Sequence, residues 1–319
     1  MATRMGSGIE LGRCSTTGIG SLPFEDPDKA ISLVLENCEI PYWPQLKNES
    51  MYDQFAFPLP REDDMTSFYE DIINEREERF VYPRELFRGF YRFAELIGRR
   101  KLEIVKGQII GPITLGYYLK DKDKKALILD ENWREIIVKA ISAQAKWQEK
   151  FLKCIAKEVI IFFDEPFLSI SGTPQFSLSP EECDSILTEV LSAVKCLRGI
   201  HCCGNTDWER VLSLPLDIVS FDAYKYGRNF AAYRKEVNDF TDKGGIIAWG
   251  ITPSTSEIED EDVVSLHKKL LDLIENSHLL ESSMVTPSCG LSSLTPDQAV
   301  KALKTTGDLS RMLKKKLDN

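Results

Sequence analysis

The sequence predicts an α/β fold of the (β/α)8 barrel class, read as a single domain over residues 1–319 with a helical or irregular insertion at about 46–82. Three observations predict it. Short β-branched apolar runs alternate with amphipathic helical stretches along the chain, eight such pairs are countable, and the unusual polar motifs fall where a run ends. Barrels of this class build their active sites from the loops at the C-terminal ends of their strands.

The first strand is read at Ser15 to Ile19, followed by Asp26-Pro27-Asp28, an N-terminal signal for a helix to about Glu36. Glu39 to Trp43 gives the second strand. Leu46 to Tyr82 is polar, aromatic-rich and longer than an ordinary connection, so it is a functional excursion or a helical insertion. A helix follows at Pro83 to Ile97, then a third strand at Leu102 to Ile110 that ends at Gly111-Pro112-Ile113-Thr114. A long helix runs from about Glu131 to Ala156, and Glu158 to Phe163 is an apolar fourth strand, buried on both faces, that ends at Asp164-Glu165-Pro166. The remaining strands are read at Arg198 to Cys202, Asp217 to Phe221, Gly245 to Trp249 and Ser283 to Val285. Their helices are Pro180 to Cys196, Thr206 to Leu214, Asn229 to Lys243, Ile258 to Ser277 and Thr295 to Leu317.

Composition narrows the function. With 40 Lys and Arg against 50 Asp and Glu, the net charge of -10 argues against a nucleic-acid partner, because phosphate binding needs a basic surface. No apolar run has the length of a membrane span, and Met1 to Arg13 lacks the apolar centre of a signal peptide. The expectation is a cytoplasmic protein with eight mostly reduced cysteines, acting on small molecules or proteins.

Two motifs carry chemistry: His201-Cys202-Cys203-Gly204-Asn205 and, far along the chain, Pro287-Ser288-Cys289-Gly290-Leu291. Cys is among the most buried residue types and His is often a satisfied core residue, so a lone His-x-Cys usually belongs to a core. Here both motifs close an apolar run at a glycine. His201, Cys203 and a distant third donor, Cys289, make a candidate catalytic zinc site: three protein ligands and an open position.

The stretches Thr16-Thr17-Gly18-Ile19-Gly20-Ser21-Leu22-Pro23, Gly111-Pro112-Ile113-Thr114, Asp164-Glu165-Pro166, His201-x-Cys203 and Cys289-Gly290-Leu291 together resemble the catalytic domain of cobalamin-independent methionine synthase, over nearly the whole chain. The His201 to Thr206 stretch is also similar to the zinc motif of corrinoid-dependent methyltransferases that methylate coenzyme M, and the shared barrel extends to uroporphyrinogen decarboxylase. The resemblance implies that His201, Cys203 and Cys289 hold zinc, with Asp222 as a fourth ligand or a neighbour of the metal. It implies that Gly20 and Ser21 bind the carboxylate of homocysteine and Asp164 its amine. Glu165 and Gln45 join the candidate substrate-binding residues, and Cys202 points away.

Departures from that family's pattern bear on the methyl donor. The stretch Trp249 to Thr255 has no His to protonate a departing folate, Gln45 stands where the family has Glu, and one barrel is read where the synthase has two. A cobalt leaving group needs no proton, so the donor implied is methylcobalamin or another methylcorrinoid, free or held on a separate corrinoid protein. The acceptor is a small thiol, homocysteine above coenzyme M or another thiol. A decarboxylase of the porphyrin type and a non-catalytic corrinoid-binding protein are the competing readings.

Overall fold

A computed structural model describes residues 11–98, 101–274 and 277–318. The reading of Met1 to Arg13 and the end of the helix read at Ile258 to Ser277 therefore lie partly outside the described residues. Seven parallel strands, β1 (Ser15–Thr16), β2 (Leu102–Ile110), β3 (Ala156–Asp164), β4 (Leu197–Cys202), β5 (Ile218–Phe221), β6 (Ile246–Thr252) and β7 (Ser283–Pro287), form one curled sheet. Their order is β1-β7-β6-β5-β4-β3-β2, the sequential winding of a barrel-like α/β fold.

The expected second strand does not form a ladder. Residues 40–45 lie between the two sheet edges, where Ile40 N–H donates to Thr16 O at 2.9 Å and Lys106 N–H donates to Pro41 O at 2.8 Å. Tyr42 and Gln45 make single parallel bridges to Lys106 and Ser21. Pro41 and Pro44 explain the interruption, since proline has no N–H to give a ladder.

Strand alternation separates two cores. Ile104, Ile160, Phe162, Ile218, Ile246, Ala248 and Met284 form one buried cluster inside the curl. Val105, Val159, Ile161, Ile200, Val219, Ile247 and Val285 face outward into a larger cluster with the helices. Burial on both faces is why the strands read as unbroken apolar runs. On the inward parity each strand becomes polar toward its C-terminal end: Ile160, Phe162, Asp164 on β3; Ile218, Ser220, Asp222 through β5; Met284, Thr286 on β7. The gradient turns one end of the sheet into a polar mouth.

The helices are shorter than read where capping residues intervene. Asp130 accepts from Asn132 and Trp133 N–H and starts Glu131–Leu152, which stops four residues before the expected end because Ala156 opens β3. Thr295 and Gln298 form a reciprocal capping box for Pro296–Leu317. The helix expected at Asn229 to Lys243 is two, Ala223–Phe230 and Arg234–Asp242, and the stretch from Ile258 onward is a 3-10 turn followed by Val263–Leu271. Within residues 46–82, Met51–Ala56 and Met65–Ile73 are helical. Among the described residues no helix is long and apolar enough to cross a membrane. All eight cysteines are free.

Candidate metal centre

Each candidate ligand stands at a strand exit. His201 is buried on β4, beside Ser220 of β5, whose Oγ lies 3.0 Å from its Nδ1. In the tautomer that donates Nδ1–H to Ser220, Nε2 keeps its lone pair, and Nε2 is a buried atom with no partner among the described residues. Cys203 follows in the turn after β4, and Cys289 comes two residues after β7. One donor atom from each of His201, Cys203 and Cys289 lies within 4.8 Å of the others. Donor atoms at that separation would suit an ion with bonds of about 2.0–2.3 Å.

The electrostatics fit such an ion. Cys203 is held well below the usual thiol range because Cys289 hydrogen-bonds to its sulfur and the His201 ring adjoins it. Cys289 is pushed up by the same hydrogen bond and by burial. A thiolate, a second thiol beside it and an orphaned imidazole nitrogen are a donor set that suits zinc. Cys202 alternates to the other face, where its thiol donates to Gly204 O at 3.6 Å inside the outer core.

Asp222 is not in that three-residue group. Its Oδ1 accepts from Lys225 N–H at 2.9 Å and caps the helix Ala223–Phe230. Burial raises its carboxyl to about 6, and the charges of Cys203 and His201 both act on it, so it stands near the centre with one oxygen committed to the backbone.

Asp164 closes β3, opposite His201 on β4. Its Oδ1 is buried with no hydrogen-bond partner among the described residues, and burial lifts its carboxyl to about 6 against the pull of Lys106 and His201. A buried carboxylate oxygen with no such partner is an open acceptor in the mouth.

Glu165, read as a substrate contact or equally as a partner of the backbone within the barrel, makes the backbone contacts. Its oxygens accept from Ile113 N–H at 3.0 Å, Thr114 N–H at 2.8 Å and Thr114 Oγ–H at 2.6 Å, at the start of the helix Pro112–Tyr118. The Gly111-Pro112-Ile113-Thr114 motif is thus a helix N-terminus wrapped around a buried carboxylate. A Cβ on Gly111 would lie 2.1 Å from Glu165 Cδ. Gly111→Ala is therefore expected to cost about 3 kcal/mol and lower the melting temperature by about 6–12 °C in a calorimetric scan.

Burial raises Glu165 from 4.5 to about 7. Between those values the folded chain holds a proton that the unfolded chain has released. The stabilisation from this group is then complete below 4.5 and lost as pH climbs through about 7, a span worth about 3 kcal/mol. Urea midpoints of the wild type, taken relative to Glu165→Gln, should fall between pH 5 and pH 8; parallel profiles would contradict this sign.

Gly20 and Ser21 form the turn after β1. Among the described residues neither N–H donates to another protein group, while their carbonyls are held by Gln45 N–H at 3.1 Å and Leu291 N–H at 2.8 Å. The turn abuts the Cys289 loop so closely that a Cβ on Gly290 would lie 2.2 Å from Ser21 Oγ. Gln45 is buried and donates to Gln54 Oε1 at 2.7 Å; Gln54 in turn donates to Leu86 O at 2.7 Å and Glu49 Oε2 at 3.2 Å. Gln45 therefore braces the turn through its backbone and ties it to Gln54 through its side chain.

One residue of the site, Ser220, carries no mark legible in the sequence. Ser220 orients His201 but looks like any strand serine. Tyr52, on the helix Met51–Ala56, stacks on Tyr118 with centroids 3.5 Å apart, and its hydroxyl is raised by partial burial, by Tyr118 and by the charge of Cys203. The 46–82 stretch thus brings an aromatic ring to the Cys203 side of the mouth. Lys106 did carry a signal, a charge on inward parity within an apolar strand. The larger surface grooves, of about 460 and 490 Å³, are lined by other residues, such as Phe80 with Trp147 and Leu212 with Phe240.

No family model matches the chain, and no curated protein matches it in sequence. Among solved structures it is similar to a methyltransferase from Methanosarcina mazei, with 17% identity, a TM-score of 0.59 and 93% of each chain covered. GH5_18 from Streptomyces cattleya, in complex with GlcNAc, has 11% identity and a TM-score of 0.52 over 95% of this chain and 81% of its own. A B12-independent methionine synthase from Shewanella sp. W3-18-1, in complex with selenomethionine, has 16% identity and a TM-score of 0.46; the match covers 67% of this chain and 63% of that one. At such identities the likeness establishes the barrel-like α/β fold, and the chemistry is read from the site.

Proposed function

We propose that this chain is a zinc-dependent thiol methyltransferase that moves a methyl group from a methylcorrinoid to homocysteine, giving methionine. The observation that carries the reading is the convergence of His201, Cys203 and Cys289 donor atoms within 4.8 Å at the polar end of the sheet. Zinc held there supplies Lewis acidity that lowers the pKa of an added thiol and keeps it a nucleophilic thiolate at neutral pH. Asp222 would be a fourth protein donor, through the oxygen that its helix cap leaves free, one that gives way to the incoming thiol.

The rest of the site suits an amino-acid thiol. Gly20 and Ser21 N–H groups bind the acceptor's carboxylate, since unpaired backbone donors at a turn make an anion site. Asp164 Oδ1 takes the acceptor's ammonium, which answers the orphaned oxygen. Tyr52 and Tyr118 screen the mouth from water on the Cys203 side. In the transfer the acceptor sulfur gains the methyl carbon while the cobalt–carbon bonding pair stays on cobalt, so the leaving group takes no proton. That suits a site with no His in residues 249–255. The corrinoid arrives free or on a separate protein at the mouth framed by residues 46–82, and the protein works in the cytoplasm.

The test is zinc-loaded protein with methylcobalamin and a panel of thiols, followed by loss of the cobalt–carbon chromophore. Methionine formation is the expected result. Transfer to coenzyme M in preference to homocysteine would reassign the acceptor, and no transfer to any thiol would overturn the reading.

A further inference from the structure

Among the described residues the proposed chemistry leaves one buried lysine unused. Lys106 lies on β2 opposite Ile160, 1% exposed, on the inward face of a strand that is otherwise mostly apolar. A buried ammonium is costly unless paired and hydrogen-bonded, so its contacts are informative. Its Nζ donates to Ile19 O at 2.7 Å and to Gln108 Oε1 at 3.3 Å, and rests 4.9 Å from the Phe162 ring centroid. The titratable groups that act on it are Asp164 and the Cys38 thiol.

The Ile19 carbonyl shares a peptide unit with the Gly20 N–H. In a trans peptide the two point in opposite directions, so a carbonyl held toward Lys106 turns the Gly20 N–H away from the interior. Gln108 reinforces the arrangement: its Nε2 donates to Trp43 O at 2.8 Å, and its side chain packs 3.2 Å from where a Gly20 Cβ would stand. One side chain thus links the two elements assigned to the acceptor's ends, the Gly20–Ser21 turn and Asp164.

We propose that Lys106 is a positioning residue for an amino-acid acceptor: it fixes the Ile19–Gly20 peptide with its N–H toward the mouth and sets a positive charge on the interior side of Asp164. The proposal rests on the reading of the site as an amino-acid thiol site. Lys106 touches neither acceptor nor metal in this account, and acts through the groups that do.

The test compares Lys106→Met and Lys106→Arg with the wild type, using homocysteine and 2-mercaptoethanol, a thiol with no carboxylate or amine. Losing one charge-assisted hydrogen bond predicts that Lys106→Met raises the KM for homocysteine about 10–100-fold. Its kcat stays within about threefold, kcat/KM for 2-mercaptoethanol is unchanged, one zinc per chain is retained, and Lys106→Arg recovers part of the loss. An equal loss with both thiols, or an unmoved homocysteine KM, overturns the proposal. Should the wild type transfer to no thiol, the function reading fails. Calorimetric titration of zinc-loaded protein with homocysteine then decides on Lys106: weaker binding by Lys106→Met supports its role, and equal or absent binding by both proteins overturns it.

Discussion

Replacing Cys289 with serine should leave the purified protein with well under one zinc per chain and slow methyl transfer to homocysteine at least about 10³-fold. Cys289 is the donor that ties the exit of β7 to the exit of β4, and without it His201 and Cys203 leave the three-residue group one donor short. A serine hydroxyl is not deprotonated near neutral pH and offers zinc a poor ligand. Cys203→Ser should behave in the same way, while Cys202→Ser should keep its zinc because that sulfur faces the outer core. Metal analysis after gel filtration checks the first part and the chromophore assay the second. Full zinc and unchanged transfer in Cys289→Ser would remove the basis of the proposed chemistry.

Asp164→Asn should raise the KM for homocysteine about 10²–10³-fold with zinc content intact, the loss expected when one partner of a buried charge pair is made neutral. The substitution is nearly isosteric, so the fold is preserved. What it removes is the charge on the oxygen that has no partner among the described residues. The penalty should vanish for 2-mercaptoethanol, which has no ammonium to hold. Equal KM values for homocysteine in wild type and variant would reassign Asp164 to the support of His201, its neighbour in the ladder.

The strand-end chemistry was legible in the sequence because strands buried on both faces read as continuous apolar runs, and a polar residue closing such a run stands out. His201, Asp164, Asp222 and Cys289 were found in that way. Side-chain direction was less legible. Asp164 and Glu165 are adjacent, yet alternation sends the first toward the mouth and the second into a helix start 51 and 52 residues away in sequence. Asp222 read as a candidate ligand, and its cap on the next helix could not be seen because that helix was read as starting at Asn229 rather than Ala223.

The expected second strand failed for a local reason, two prolines in a short run, while its place between β1 and β2 is held by single hydrogen bonds. The approach of Tyr52 to Cys203 depends on how residues 46–82 fold back over the mouth, which no periodicity encodes. Lys106 was visible as a lysine among Ile, Val and Gly, but only the inward parity of β2 and the hydrogen bond to Ile19 give that charge a meaning.

Zinc K-edge X-ray absorption on the purified, metal-loaded protein tests the central claim most directly. The account predicts one zinc per chain with two sulfur neighbours at about 2.3 Å and an imidazole nitrogen at about 2.0–2.1 Å. A shell without sulfur, or zinc that fails to bind in stoichiometric amount, would contradict it.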